Sequence, residues 1–302
     1  MCKTSFVIPT KNSGQFIEQC LSSLVPYYKQ GYIEDIVIVD ALSTDDTLEI
    51  AGKYPVKIVS DDSSFPAPSW EKGWRNAGGD LIVFFDSDAY LGRDFFPKLL
   101  DYFHDDRVGI VSCEAIPMGG DDRLTLAEYQ WAIYHREAYF FPRGFIQRLF
   151  RRVRLRNRSS PLPSGPCWVT RRSIIESVDG YRGFPLSVEP DTALPYRIME
   201  RGWKTQWWLG SPVYHYTRTT LKSLIKRCTH HGKQAAFWGR ELKRSPFRQT
   251  TTMAVDLGAP LVGLIGAVHW RNPWFFVFAM TRYAGLAGYL AGLVSRSGER
   301  IE

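Results

Sequence analysis

The sequence predicts an α/β fold, a mostly parallel sheet flanked by helices, followed by an apolar helical tail. Three features point there. Near-continuous apolar runs such as Phe6-Val7-Ile8, Ile36 to Val39 and Leu81 to Phe85 alternate with helix-like stretches, as strands covered on both faces require. Two of these runs end in acids, at Asp40 and at Asp86-Ser87-Asp88. Beyond Arg248 the polar character thins into two long apolar stretches.

The elements follow in order. Thr4 to Pro9 reads as a buried strand, Lys11 to Gly14 as a turn, and the next stretch as a helix with Phe16, Ile17, Cys20, Leu21 and Leu24 on one face. Ile33 to Asp40 is a second strand, Asp45 to Tyr54 a helix, Val56 to Ser60 a third strand, and Ser69 to Asn76 a short helix. Asp80 to Asp86 is a fourth strand. This alternation implies parallel neighbours joined by right-handed crossovers. A helix over Phe95 to Phe103, a strand over Val108 to Ala115 and a long aromatic-rich helix over Leu124 to Phe140 come next. Ser159 to Pro166 reads as a loop by its Pro, Ser and Gly content. Strand Cys167 to Thr170, helix Arg171 to Val178, a turn at Asp179 to Gly183 and a helix from Thr192 to Arg201 follow. Strands near Lys204 to Trp208 and Pro212 to His215 precede a helix from Leu221 onward.

The apolar stretches Met253 to Trp270 and Trp274 to Val294 are each near membrane-spanning length, with the turn Arg271-Asn272-Pro273 between them. Basic residues before and after the pair suit a hairpin with both ends in the cytoplasm, and Gly288 and Gly292 would let its two helices approach closely. Asp256 and Arg282 oppose a simple span, and a soluble amphipathic cap is the alternative. The formal net charge is +7, and residues 143–158 alone hold seven arginines and no acid. The basicity is therefore local. Interleaved with Phe145, Ile146, Leu149 and Phe150, it suits an anionic membrane surface better than nucleic acid, or else a solvated loop. The sequence thus divides into a domain over 1–240, with a basic amphipathic segment at 141–158, and a hydrophobic hairpin over 241–302. Five scattered cysteines without a C-x-x-C pair argue against a disulfide framework or zinc site. Reduced thiols and no signal peptide ahead of the first strand place this domain on the cytoplasmic side.

Chemistry concentrates at the strand ends. Asp86 and Asp88 stand one residue apart, and their mutual repulsion is relieved by a cation; hard oxygen ligands suit Mg2+ or Mn2+ bridging to a diphosphate. Strand carboxyl ends are also where ligands bind in open α/β sheets. In the segment Asp40 to Thr47, helix capping accounts for Asp45 and Asp46, but Asp40 is placed to bond a nucleotide base or ribose.

Taken together, SFVIPTKNSGQF, IVIVDALSTDDT and GGDLIVFFDSDA resemble glycosyltransferase family 2, whose members adopt the GT-A fold. The likeness runs in motif order over roughly residues 4 to 235. It implies an enzyme using a nucleotide-sugar donor and a divalent metal. Pro9, Thr10, Asp40, Ser43 and Asp86 would face the donor, with Asp86, Asp88 and His215 as metal ligands. Ala41 and Leu42 depart from the family, which often has an acid or Asn and then Gly there. SGPCWVTRRSIIESVDGYRGF and LSVEPDTALPYRIMERGW resemble the acceptor-side segments. By its spacing to Gly202, Asp191 aligns with the catalytic base; Pro190 replaces the preceding Glu, for which Glu189 is a nearby substitute. As alternatives, Asp191 caps a helix and His215 is a structural hydrogen-bonder. Lys233, beside His230, His231 and Gln234, could meet the donor phosphates or line a solvated helix face. A base is needed by a hydroxyl acceptor but not by a lipid phosphate, which is already ionised, so a hydroxyl of a lipid-linked sugar or glycolipid is expected. A polyprenyl-phosphate sugar synthase is the rival reading. A nucleotidyltransferase would want a glycine-rich basic signature after the first strand, and a non-catalytic scaffold would not keep all three acids.

Overall fold

The computed structural model describes residues 3–63, 65–96, 98–118, 165–216, 220–241, 261, 264, 268, 275–294 and 300–301. The expected helix over Leu124 to Phe140, the basic segment 141–158, most of the loop 159–166 and nearly all of 253–270 with the turn at 271–273 lie outside these residues. The chain divides into two compact units: Met1–Ile116 with Arg158–His215 and Gly298–Glu302, and Pro117–Asn157 with Tyr216–Ser297.

The first unit is built on an α/β sheet. Its strands are β1 (Thr4–Thr10), β2 (Ile33–Asp40), β3 (Lys57–Ser60), β4 (Leu81–Phe85), β5 (Ala89–Leu91), β6 (Val108–Met118), β7 (Cys167–Arg171) and β8 (Lys204–Tyr216). They lie in the order β3-β2-β1-β4-β7-β6-β8-β5. The four N-terminal strands β3, β2, β1 and β4 are parallel, as the alternation with helices predicted. Beyond β4 the sheet departs from that pattern. β7 inserts antiparallel between β4 and β6, and β5 pairs antiparallel with β8. One continuous strand, β8, replaces the two expected near Lys204 and Pro212.

Helix α1 (Gly14–Lys29) buries Ile17, Cys20, Leu21 and Leu24, the 3.6-period face visible in the sequence. Helix α2 (Thr47–Ala51) is shorter than its apolar pattern implied. Asp45 spends its carboxylate on Thr47 N–H and Oγ1 and on Gly14 N–H, and so tethers the α1 start instead of extending α2. Helix α3 (Pro66–Asn76) starts three residues earlier than expected, with Pro66 where a missing N–H costs nothing. Helix α4 (Lys98–Asp101) passes into a 3-10 turn over Tyr102–His104. Helices α5 (Arg172–Ser177) and α6 (Pro190–Glu200) complete the unit.

The core beneath α1 gathers Phe6, Ile8, Leu21, Phe85 and Phe95, all fully buried. On the α3 side, Trp70, Phe84 and Trp168 stack, with centroids 4.8 Å and 4.2 Å apart for successive rings. Such pairs add about 0.5–1.5 kcal/mol beyond burial and pin β4 and β7 against α3.

In the second unit, α7 (Leu221–Glu241) packs against α8 (Phe275–Val294). Glycines bring the backbones together. A Cβ on Gly232 would fall 1.9 Å from Gly285 O, and one on Gly288 would fall 1.9 Å from Thr229 O. Gly288 and Gly292 were expected to join the two tail helices; in the structure they seat α8 on α7, so α7 groups with the tail. Among the described residues no helix is long and apolar enough to cross a membrane. In the second apolar stretch, Arg282 and the glycines of the α7 contact dilute the apolar character.

Candidate active site

The site forms where β1, β2, β4 and β8 end. Parallel register sets Thr10 opposite Asp40, and Thr10 Oγ1 donates to Asp40 Oδ1 at 3.1 Å. Ser43 adds its N–H to Oδ2 at 2.9 Å and its hydroxyl to Oδ1 at 2.5 Å. Asp40 is 3% exposed, so these three donors offset its desolvation and fix its orientation. The β1–α1 and β2–α2 loops are laced together: Asn12 N–H bonds Ser43 Oγ, Asn12 Oδ1 accepts from Thr44 N–H, and Ser13 N–H bonds Thr47 Oγ1. Asn12 and Leu42 both adopt left-handed backbone, with φ of 51° and 57°. In Leu42, a residue with a Cβ, this conformation is strained.

Asp61, at the end of β3, is a buried carboxylate that sequence reading passed over. Burial pushes its pKa up, but hydrogen bonds from Ser63 and Ser69 and then Lys72 outweigh this and leave it below the usual carboxylate value. Its N–H donates to Asp40 O at 2.7 Å, so it braces the strand end that carries Asp40.

The D-x-D step leaves β4 at a turn. Asp86 N–H bonds Pro166 O, Ala89 N–H bonds Asp86 O, and the Ser87 hydroxyl meets that of Ser13 at 2.8 Å. β5 then pairs Ala89 with His215 on β8. This cross-strand pairing, which no linear motif reveals, delivers the imidazole. His215 Nε2 lies 3.0 Å from Asp88 Oδ1 and 3.7 Å from Asp86 Oδ2. One ligand atom from each of the three residues falls within 4.8 Å of the others. Two ligands of one octahedral ion at about 2.1 Å stand about 3 Å apart when adjacent and about 4.2 Å when opposite. Two hard carboxylates and one imidazole in this spacing fit Mn2+ or Mg2+. Asp86, Asp88 and His215 would hold such an ion.

Asp191 is half-buried in the first turn of α6. The sequence had this helix starting at Thr192, with Asp191 as a possible cap. Instead Glu189 is the cap residue, without a side-chain cap bond, and Asp191 is the second residue of the helix. A helix N-terminus is an electrostatically favourable place for an acidic side chain. Glu189 is half-buried beside it. Pro9 is half-buried next to Thr10 on β1. The structure thus brings Thr10, Asp40 and Ser43 into one cluster, with Pro9 adjoining in sequence, and Asp86, Asp88 and His215 into another. Lys233 lies exposed on α7 in the second unit.

Known proteins resemble this chain in sequence and in fold. The chain is 33% identical over 103 residues, 31% of its length, to poly(ribitol-phosphate) beta-N-acetylglucosaminyltransferase TarS of Staphylococcus aureus, and that stretch spans 18% of the relative. It is 34% identical over 104 residues to the dolichol-phosphate mannosyltransferase of Pyrococcus furiosus, 33% of this chain and 29% of that one. The fold superposes with a TM-score of 0.61 on a mannosyltransferase of Pyrobaculum calidifontis solved in complex with GDP-Man and Mn2+, at 18% identity, covering 97% of this chain and 87% of that one. The sequence model described as Glycosyl transferase family 2 matches residues 5–179, and with the GT-A architecture and the acidic strand ends in place, the chain belongs to that family.

Proposed function

We propose that this protein is an inverting, divalent-metal-dependent glycosyltransferase. It moves a sugar from a nucleoside-diphosphate sugar to a hydroxyl of a membrane-associated acceptor, a lipid-linked sugar or glycolipid headgroup. The observation that carries the reading is the Asp86, Asp88 and His215 cluster beside the Thr10, Asp40 and Ser43 cluster, both at strand ends. Asp40 and Ser43 orient the nucleoside. Asp86, Asp88 and His215 would hold a divalent cation, which would supply charge neutralisation for the departing diphosphate. Asp191 takes the acceptor proton as the acceptor oxygen bonds to the anomeric carbon and the bond from that carbon to the phosphate oxygen breaks. Relatives solved or named with Mn2+, GDP-mannose and polyol-phosphate acceptors support the class.

The membrane part of the reading rests on the seven arginines of 143–158 and on the outward apolar face of α8, where Met280, Tyr283, Leu290 and Val294 are exposed. In this reading the second unit lies on the cytoplasmic membrane surface and the catalytic unit faces the cytoplasm. A lipid phosphate acceptor is the second reading, favoured by the likeness to a dolichol-phosphate mannosyltransferase.

The test is turnover of a panel of UDP-, GDP- and dTDP-sugars by purified protein with Mn2+ or Mg2+, with and without lipid extract. Metal-dependent consumption of one donor, yielding an alkali-stable glycoside in the lipid fraction, is expected. An acid-labile sugar phosphodiester would move the acceptor to the second reading. Absence of nucleotide and metal binding altogether would overturn the class. Co-sedimentation with phosphatidylglycerol vesicles, weakened by salt and absent with phosphatidylcholine alone, checks the membrane surface; equal recovery in the supernatant with both would remove it.

A further inference from the structure

We propose that Tyr181 is the positioning residue for Asp191, gripping the peptide that carries the proposed base. The proposal rests on the reading of Asp191 as base.

Helix α6 begins at Pro190. Glu189, the cap residue, gives no side-chain cap bond, and Pro190 has no N–H to offer. A residue from the preceding turn fastens this end. Tyr181 Oη donates to Pro190 O at 3.0 Å. That carbonyl belongs to the planar peptide joining Pro190 to Asp191, so the bond fixes the plane from which the Asp191 side chain departs.

Tyr181 is itself fully buried and fixed from three directions. Its N–H donates to Glu71 Oε2 at 3.0 Å, and the same carboxylate holds Trp74 Nε1 and Arg75 Nε. Gly180 adopts φ of 52°, and a Cβ there would fall 2.5 Å from Glu71 Oε2, so only glycine lets the turn sit this close. The Tyr181 ring stands edge-on to Phe84, 6.3 Å between centroids. Phe84 lies on β4 two residues before Asp86, so one side chain touches both the strand leading to the D-x-D step and the helix carrying Asp191.

A second joint ties the same turn to the same helix. Arg197, two helical turns on, donates Nη1 to Gly180 O and Nη2 to Arg182 O, both at 2.7 Å, and its guanidinium lies 3.8 Å over the Phe184 ring. The turn is therefore fastened along the helix, with Tyr181 at the end where the acid sits. Burial, and then the charges of Asp191 and Glu71, push the phenol's pKa well up, so Tyr181 stays a neutral donor throughout the working range.

The experiment compares Tyr181→Phe, Asp191→Asn and the double variant in the full chain, following Mn2+-dependent hydrolysis of whichever UDP-, GDP- or dTDP-sugar of that panel the wild type consumes. Tyr181→Phe is expected to lower kcat by about 10-fold, as loss of a supporting hydrogen bond does, while donor KM stays within about 2-fold. The double variant should fall no further than Asp191→Asn alone, because the tyrosine acts only through the acid. Losses that multiply, or a raised donor KM, would mark Tyr181 as a general structural residue and overturn the proposal. Wild-type kcat in Tyr181→Phe with an inactive Asp191→Asn overturns it and leaves the base reading standing. An active Asp191→Asn removes that reading and the proposal with it. If Tyr181→Phe does not fold, Arg197→Lys loosens the second joint and carries the same comparison.

Discussion

Replacing Asp88 by Asn separates what the D-x-D acids do for the fold from what they do for a cation. Without an ion, Asp86 and Asp88 present like charges within 4.8 Å of each other. At that spacing their repulsion is about 3.5 kcal/mol for an effective dielectric of 20 and about 0.9 kcal/mol in water. The side chains are 38% and 30% exposed, which places the value near the lower figure, about 1 kcal/mol. The asparagine Oδ1 can still accept from His215, so the substitution removes the repulsion and keeps that contact. The metal-free variant should melt at the wild-type temperature or about 2–4 °C above it. Function moves the other way. Loss of an outer-shell partner weakens metal sites 10- to 100-fold, so loss of a direct ligand should weaken Mn2+ binding by at least about 100-fold, about 2.7 kcal/mol. Scanning fluorimetry with a nucleoside diphosphate and graded Mn2+ reads both effects. The wild type, at 100 times its dissociation constant, gains about 2.7 kcal/mol and shifts upward by about 5–10 °C. Asp88→Asn should show almost none of that shift. An equal Mn2+ shift in the variant would refute the metal site, and a metal-free variant melting many degrees lower would assign Asp88 a structural role.

Three other outcomes are expected. Ser43→Ala removes the 2.5 Å bond to Asp40 and should raise donor KM by about 10-fold with kcat little changed, as steady-state kinetics would show; an unchanged KM would detach Asp40 from the donor. Ser69→Ala removes a donor to Asp61, whose folded pKa lies below its unfolded value of about 3.9. Stability from Asp61 is therefore fully present above pH 4 and lost as pH falls through the folded pKa. Urea unfolding between pH 2 and 5 should show the acid transition of Ser69→Ala displaced to higher pH; coincident curves would refute the role of these bonds. Gly288→Ala drives a methyl to 1.9 Å from Thr229 O, and overpacking of this kind costs about 1–3 kcal/mol. Limited proteolysis should cut the second unit of Gly288→Ala faster than that of the wild type, whereas unchanged cleavage would mean that α7 and α8 do not depend on backbone contact.

How far the sequence reaches depends on the range of the interaction that decides each feature. Strands β1, β2 and β4 were legible because burial on both faces demands an apolar run, and Asp40, Asp86 and Asp88 were legible because they terminate those runs. Periodicity likewise revealed the buried face of α1. The direction of β7 was not legible, because Cys167–Arg171 has the same apolar run whether it pairs parallel or antiparallel; only its pairing with β4 decides. His215 stood out as a residue, yet its place beside Asp88 depends on the pairing of β5 with β8 across more than 120 residues. Gly288 and Gly292 announced a close helix contact, but not that the partner was α7, since a glycine step specifies an approach distance and no partner. Asp61, Glu71 and Tyr181 gave no local signal at all. A buried acid reads in sequence like any surface acid until the chain folds donors around it, and a tyrosine reads as core until its hydroxyl finds one carbonyl, that of Pro190. The sequence alone determined the family fold and the acids that carry charge. Tertiary structure decided which of them meet, because that depends on strand pairing and on hydrogen bonds between residues far apart in the chain.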